Sequence, residues 1–126
     1  MSEANGNVLS VGVDPVDGDV SVVSLAGELD LSTIPTAEER LFEELRTHSA
    51  VIMDLTRLSF IDSSGIGMLI QGFCAREHQE SGELHTVIAH DSQIERVFRL
   101  AGIDRALPLY QDRAAALAAT NGGRLG

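Results

Sequence analysis

The chain has 126 residues, of which 44% are hydrophobic and 22% charged, and its formal net charge is −10. That length holds one domain with one core. The excess of carboxylates argues against direct binding of DNA or RNA, whose phosphates would be repelled, and favours a basic or mixed-charge protein partner through faster encounter.

With no Trp and one Tyr, the core must be aliphatic. No apolar run reaches the roughly 20 residues a membrane helix needs, so membrane insertion is not expected. The polar start, Met1 to Asn7, lacks the basic segment of a signal peptide. Cys74 is the single cysteine and fits a reducing, cytoplasmic setting; a small buried apolar role is expected for it. Residues 1–7 read as a flexible leader, 8–119 as a single domain and 120–126 as a flexible tail.

In chain order, Leu9–Val13 and Val20–Leu25 are β-rich runs. The turn segment between them, with Pro15 and Asp17-Gly18, predicts an antiparallel hairpin. Ser32 or Thr33 is placed to cap a helix with Pro35 in its first turn. In that helix Ile34, Glu38, Leu41, Phe42 and Leu45 share one face, and Glu38-Glu39 and Glu43-Glu44 read as solvated. Val51–Thr56 is mostly apolar and predicts a central strand covered on both faces. The next helix begins at Ser63, with Ile66, Leu69, Ile70 and Phe73 inward and Ser81-Gly82 as its stop.

Leu84–Ala89 predicts a further strand. Ser92 then caps a helix with Ile94, Val97, Phe98 and Ala101 inward, ended by Gly102. Leu107-Pro-Leu-Tyr110 reads as a short edge segment because of Pro108, and Arg113–Ala119 as an alanine-rich helix. The order β-β-α-β-α-β-α-(β)-α predicts an α/β fold, with a mixed, largely parallel sheet, right-handed crossovers and an N-terminal hairpin.

The segment Leu58-Ser-Phe-Ile-Asp-Ser-Ser-Gly-Ile-Gly-Met-Leu69 carries the chemistry. It puts Ser63 at a helix mouth beside Asp62. Asp30 and Asp62 both follow strands, so they are expected on one rim, either as caps or as a functional acidic surface. A phosphate on Ser63 would add about −1.5 to −2 charge at pH 7. A helix N-terminus tolerates an anion, so the fold should survive while a partner docked on a neutral hydroxyl would be repelled. Gly65 and Gly67 each cost roughly 1 kcal/mol relative to alanine in a helix, which suggests close backbone approach to a strand or a partner. Met68 falls off the apolar face and is expected to be an exposed contact beside Ser63 and Ser64.

Enzymatic signatures are poor. Ser63 is not in Gly-x-Ser-x-Gly, and Ser64-Gly-Ile-Gly67 lacks the length and lysine of a phosphate-binding loop. His48, His78, His85 and His90 have no spacing that joins them to Ser63 and read as surface or structural groups. No metal, cofactor or catalytic residue is expected.

Phe60-Ile-Asp-Ser-Ser-Gly-Ile-Gly67 resembles the signature of the bacterial anti-sigma factor antagonists of the STAS-domain family. Leu25–Ser32, Val51–Thr56 and Ile94–Ile103 resemble its other landmarks, so the resemblance runs over about residues 9–119. It implies a STAS-type fold and a cytoplasmic phosphoprotein in the partner-switching control of transcription, for example in a stress response. The unphosphorylated form would bind an anti-sigma factor that is also an ATP-dependent serine kinase, freeing its sigma factor. The kinase would phosphorylate Ser63 and a serine phosphatase would reverse this. ATP and magnesium would belong to the kinase. Asp30, Asp62, Ser64, Gly65, Gly67 and Met68 would form the partner-facing surface. The alternatives are a scaffold or accessory subunit of a stressosome or membrane transport complex and, from a different class, a small nucleotide-binding protein or hydrolase.

Overall fold

The computed structural model describes residues 8–16, 19–79 and 83–120. Five strands form one sheet in the order β1-β2-β3-β4-β5. They are β1 (Leu9–Val16), β2 (Val20–Leu29), β3 (Ala50–Ile61), β4 (Glu83–Val87) and β5 (Leu109–Tyr110). β1 pairs with β2 antiparallel, and the other three pairings are parallel. The helices are α1 (Ile34–Thr47), α2 (Ser63–Gln79), α3 (Gln93–Leu100) and α4 (Arg113–Ala119). Among the described residues, no helix is long and apolar enough to cross a membrane.

The expected α/β fold with its initial hairpin is therefore present. Its strands are longer than the hydrophobic runs. β1 continues through Pro15 and Val16, which pair with Ser21 and Val20. Pro15 lacks a ladder donor, and an edge strand tolerates that. The expected turn residues Asp17-Gly18 lie outside the described residues. β2 runs on to Leu29 through two register shifts against β3. Gly27 at φ 108° sits in that irregular stretch, and a Cβ there would run into the Val8 carbonyl. Only glycine takes this backbone without strain.

Alternate residues of the central strands feed two apolar clusters, as a strand buried on both faces requires. Val23, Leu25, Val51, Met53 and Leu55 pack with Leu41 and Leu45 of α1, Met68 and Leu69 of α2, and Phe98 of α3. Val20, Val22, Ala50, Ile52 and Val87 pack with Ala116 of α4 on the other side. Pro108 precedes β5, which is the second edge of the sheet, as expected.

Several side-chain placements differ from the sequence reading. In α1 the buried residues are Ala37, Leu41, Glu44 and Leu45. Glu44 is thus not solvated: it lies three residues from Leu41 on the inward face and accepts the Ser21 hydroxyl at 2.6 Å. In α2, Gly65, Met68, Leu69 and Gly72 face inward, and Met68 is 2% exposed while Ile70 is 36% exposed. The expected exposed methionine is a core residue. The inward face is rotated by one residue, about 100°, because it includes two glycines that an apolar pattern ignores. A Cβ on Gly72 would meet Leu84 at 3.1 Å and Leu41 at 3.3 Å. Cys74, expected to be buried, is exposed for the same reason.

Ser92 caps α3 by accepting the Glu95 N–H at 3.1 Å, and Gly102 follows it in the left-handed region at φ 77°. Ala101 is exposed, not inward, because the helix already ends at Leu100. Asp112 caps α4, and Thr120 closes it with its hydroxyl on the Leu117 carbonyl at 2.8 Å. The first residue of the expected tail is therefore buried in the fold. The leader, the rest of the tail and the Ser81-Gly82 helix stop lie outside the described residues.

Candidate functional site

β2 and β3 run parallel and end together, with Leu29 paired to Ile61. The next residue in each chain segment is an aspartate. The Asp62 N–H donates to the Leu29 carbonyl at 3.2 Å, so the two strand exits are tied to each other. Asp30 and Asp62 do share one rim.

Both aspartates are also caps, and they use the same geometry. Asp30 Oδ1 accepts the Ser32 N–H at 3.0 Å, the Ser32 hydroxyl at 2.7 Å and the Thr33 N–H at 3.2 Å. Asp62 Oδ1 accepts the Ser64 N–H at 3.0 Å, the Ser64 hydroxyl at 2.5 Å and the Gly65 N–H at 3.2 Å. Thr33 does not cap α1 with its side chain. Its hydroxyl donates to the Glu28 carbonyl and accepts the Asp30 N–H, both at 2.9 Å, which braces the loop after β2.

These bonds stabilise the anionic carboxylates. The Ser64 hydroxyl, with the N–H groups of Gly65, Ser64 and Leu31, holds Asp62 below its ordinary value. The Ser32 hydroxyl leads the corresponding set at Asp30. At neutral pH the rim carries two fixed negative charges. The Leu31 N–H bond to Asp62 also links the β2–α1 loop to the start of α2.

The two serines of the motif separate cleanly. Ser64 is half-buried and committed to Asp62. Ser63 is exposed, and its hydroxyl has no hydrogen bond among the described residues. The expected seat for an anion at the helix mouth is already filled, because the Asp62 carboxylate takes the Ser64 and Gly65 N–H groups. A phosphate on Ser63 would meet the favourable helix dipole but not a vacant cradle of donors. It would stand beside Asp62 as added negative charge on the surface.

The two candidate glycines also separate. A Cβ on Gly65 would approach Ile61 at 2.8 Å and Leu29 at 2.9 Å, so this glycine is needed where α2 presses on the strand exits. Gly67 is exposed, and a Cβ there would meet nothing within 4 Å. Met68, being buried, cannot offer the surface contact expected of it. Three exposed apolar residues are absent from the expected site: Leu31 at 76% and Phe60 at 42%, which lie close to the two rim aspartates in sequence, and Ile70 at 36%, two turns along α2. Strand alternation holds the signal for Phe60, since its neighbour Ile61 is buried. No periodicity covers Leu31 in its loop.

Among the described residues, no histidine side chain bonds to Asp30, Asp62, Ser63 or Ser64. His85 is buried between Glu83, at 2.7 Å, and the Tyr110 hydroxyl, at 3.1 Å. His90, Asp91 and Glu95 have ligand atoms within 4.8 Å of one another. Glu95 already accepts the Asp91 N–H at 2.7 Å and pairs with Arg99 at 3.2 Å, so its carboxylate is engaged in bracing the start of α3.

The STAS domain family matches residues 13–116 of the chain. The anti-sigma-F factor antagonist RsfB of Mycobacterium tuberculosis is 30% identical over 109 residues, covering 84% of this chain and 85% of that protein. The anti-sigma F factor antagonist of Paenibacillus polymyxa is 28% identical over 100 residues, covering 78% and 84%. The crystal structure of an anti-sigma factor antagonist from Mycobacterium paratuberculosis superimposes with a TM-score of 0.77 at 26% identity, covering 94% of this chain and 98% of that one. With its match over most of its length, the chain belongs to the STAS domain family, in which relatives similar to it carry the name anti-sigma factor antagonist.

Proposed function

We propose that this protein is an anti-sigma factor antagonist controlled by phosphorylation of Ser63. In its unphosphorylated form it binds an anti-sigma factor that is also a serine kinase, and the sigma factor is released. Phosphorylation of Ser63 by that kinase ends binding, and a serine phosphatase restores it. The observation that carries this reading is the division of labour at the helix mouth. Ser64 is spent on capping, while Ser63 is exposed and unbonded among the described residues, beside a fixed carboxylate. The names of the similar proteins support the anti-sigma factor as the partner.

The mechanism needs no refolding. Adding about −1.5 to −2 charge next to Asp62 turns a neutral contact into a concentrated anionic one. A loss of a few kcal/mol of differential affinity moves a complex from mostly bound to mostly free. The chain supplies a hydroxyl and a docking surface; the nucleotide and metal for the transfer belong to the kinase.

The test is affinity capture from the source cells with Ser63→Ala protein as bait. Recovery of a kinase-type anti-sigma factor, lost with Ser63→Asp bait, is the expected result. Equal recovery by both baits, or recovery of no anti-sigma factor, would contradict the proposal.

A further inference from the structure

The two edges of the sheet are defended differently. β5 is two residues long and follows Pro108, and a short edge beside a proline resists the addition of a strand. β1 is eight residues long, and from Val8 to Val13 the chain has no charge and no proline. Val8 is 60% and Val13 36% exposed. Among the described residues no strand lies beyond β1. The ladder fixes which of its backbone groups point outward. The Glu28 N–H donates to the Val8 carbonyl, and the register is unbroken from Leu9–Gly27 to Val16–Val20. Bonded positions alternate in an antiparallel pair, so Val8, Ser10, Gly12, Asp14 and Val16 turn their backbone groups to β2. Leu9, Val11, Val13 and Pro15 turn theirs outward. Pro15, with no N–H, closes one end of this outer edge; the three outward residues before it keep donor and acceptor alike.

We infer that β1 pairs antiparallel with the β1 of a second copy of this chain, about a two-fold axis at Val11, joining the two five-stranded sheets into one. The residues select this register. With Val11 opposite itself, Leu9 of each copy faces Val13 of the other, and these outward positions exchange about six hydrogen bonds. Sliding the strands toward Pro15 sets its missing N–H opposite a carbonyl, and sliding them the other way shortens the overlap. The same register makes aliphatic pairs of Leu9 and Val13. It places Ser10 against Gly12, both small, where the strands approach most closely. Asp14 falls opposite Val8, not opposite another carboxylate. A two-fold dimer requires a patch that is complementary to itself in this way.

Charge at longer range agrees with this pairing. β2 and its copy run antiparallel in the joined sheet, so the two rims of Asp30 and Asp62 lie at opposite ends and do not face each other. α1 lies mainly over β2, which sets the two copies of α1 about 14 Å apart, three strand spacings. Helices pack directly at about 8–10 Å, so this seam is one for long side chains. The groove beside β1 supplies them, with Val11 at its floor and Thr36, Glu39, Arg40 and Glu43 of α1 along its wall. The axis at Val11 passes near the middle of that wall, and Arg40 of each copy comes opposite the carboxylates of the other. The dimer is two-ended, with one exposed Ser63 at each end.

The experiment is sedimentation velocity on the purified full chain over a concentration series. The parent should pass from monomer to dimer with a dissociation constant of about 10–500 µM, the range of a small transient interface. Val13→Pro removes an outward donor and Val13→Glu puts a carboxylate in the seam; each should weaken association at least about tenfold. Val13→Glu keeps the test open if thermal unfolding shows that Val13→Pro does not fold. Leu100→Glu, on the 81% exposed leucine of α3, and Ser63→Asp should associate as the parent does. In a Cys74→Ser background, Val11→Cys should form an oxidised dimer, because the axis holds the two Cα atoms about 5.5 Å apart, within disulfide range. Val13→Cys should not, since its two copies stand four positions apart, about 13 Å. A parent chain that stays monomeric throughout the series overturns the inference. So does a dimer that persists in the folded Val13 variants, or one that crosslinks through Val13→Cys and not through Val11→Cys. A dimer lost in Leu100→Glu or Ser63→Asp would assign the contact to another face and overturn it as well. Loss of anti-sigma factor capture by Val13→Glu, in a chain that does not dimerise, would give the edge to that partner instead.

Discussion

The Ser64 hydroxyl donates to Asp62 Oδ1 at 2.5 Å, and this bond distinguishes two serines that are adjacent and chemically identical. Ser64 belongs to the helix cap. Ser63, turned to the surface, remains open to modification. Ser63→Ala and Ser63→Asp should both fold with thermal midpoints close to the parent, since neither breaks a bond among the described residues. Ser64→Ala should lower stability by roughly 0.5–1 kcal/mol, the scale of one lost hydrogen bond, and denaturant titration reads this directly.

Asp62 should matter more to the fold than Ser64. Its carboxylate takes the Ser64 and Gly65 N–H groups as well as the Ser64 hydroxyl. Asp62→Ala is expected to cost about 1–2 kcal/mol as a lost N-cap, and Asp62→Asn appreciably less because the amide oxygen still accepts. Urea unfolding of the two variants side by side checks the order.

The glycines of α2 should respond in opposite directions to one substitution. Gly65→Ala puts a methyl against Ile61 and Leu29, and Gly72→Ala puts one against Leu84 and Leu41. Each should destabilise, Gly65→Ala the more, by about 1–3 kcal/mol of overpacking. Gly67→Ala meets open space and should stabilise by up to about 1 kcal/mol. Thermal unfolding of the three proteins is sufficient, and a stabilised Gly65→Ala would refute the packing account.

α4 is held to the sheet by an ion pair between Arg113 Nε and Asp54 Oδ2 at 2.6 Å. Burial alone would raise the Asp54 carboxyl, but bonds from the Thr56 N–H, Arg113 and the Thr56 hydroxyl outweigh it and hold the group below its ordinary value. A depressed folded-state value means the stabilisation is fully present above the unfolded value near 3.8 and is lost as pH falls through the folded one. Asp30 and Asp62 share this direction. The contribution of these three carboxylates should therefore be constant around neutrality and decline below about pH 4. Arg113→Met, which leaves Asp54 without its cation, should cost about 1–3 kcal/mol at pH 7 and less at pH 3. An Arg113→Met effect that grew on acidification would contradict the assignment.

The fold was legible where periodicity and punctuation agreed. Ser92 and Gly102 bracket α3 as read, Pro108 marks an edge, and the apolar run at Val51 is central. The strands extended further than the runs because Pro15, Gly27 and Ser59 are compatible with an edge, a bulge and a polar strand end, and propensity counts each as a stop. The rim of Asp30 and Asp62 was legible because parallel strands bring their carboxyl ends together. The face of α2 was not. Gly65 and Gly72 pack inward by virtue of having no side chain, so the apolar pattern placed the helix one residue out of phase and exchanged Met68 with Ile70. Glu44 was misread because its partner, Ser21, is distant in sequence and polar.

The central claim is that Ser63 is the phosphate acceptor and that its modification ends partner binding. The direct measurement is intact-mass and peptide-level analysis after incubation with the captured anti-sigma factor kinase and ATP, coupled to titration of the purified phosphorylated product. One phosphate on Ser63, absent from Ser63→Ala, with binding weakened at least about a hundredfold, a shift of roughly 2.7 kcal/mol, is the expected result. Phosphate only on another residue, or a Ser63-phosphorylated chain that binds as tightly as the unmodified one, would contradict it.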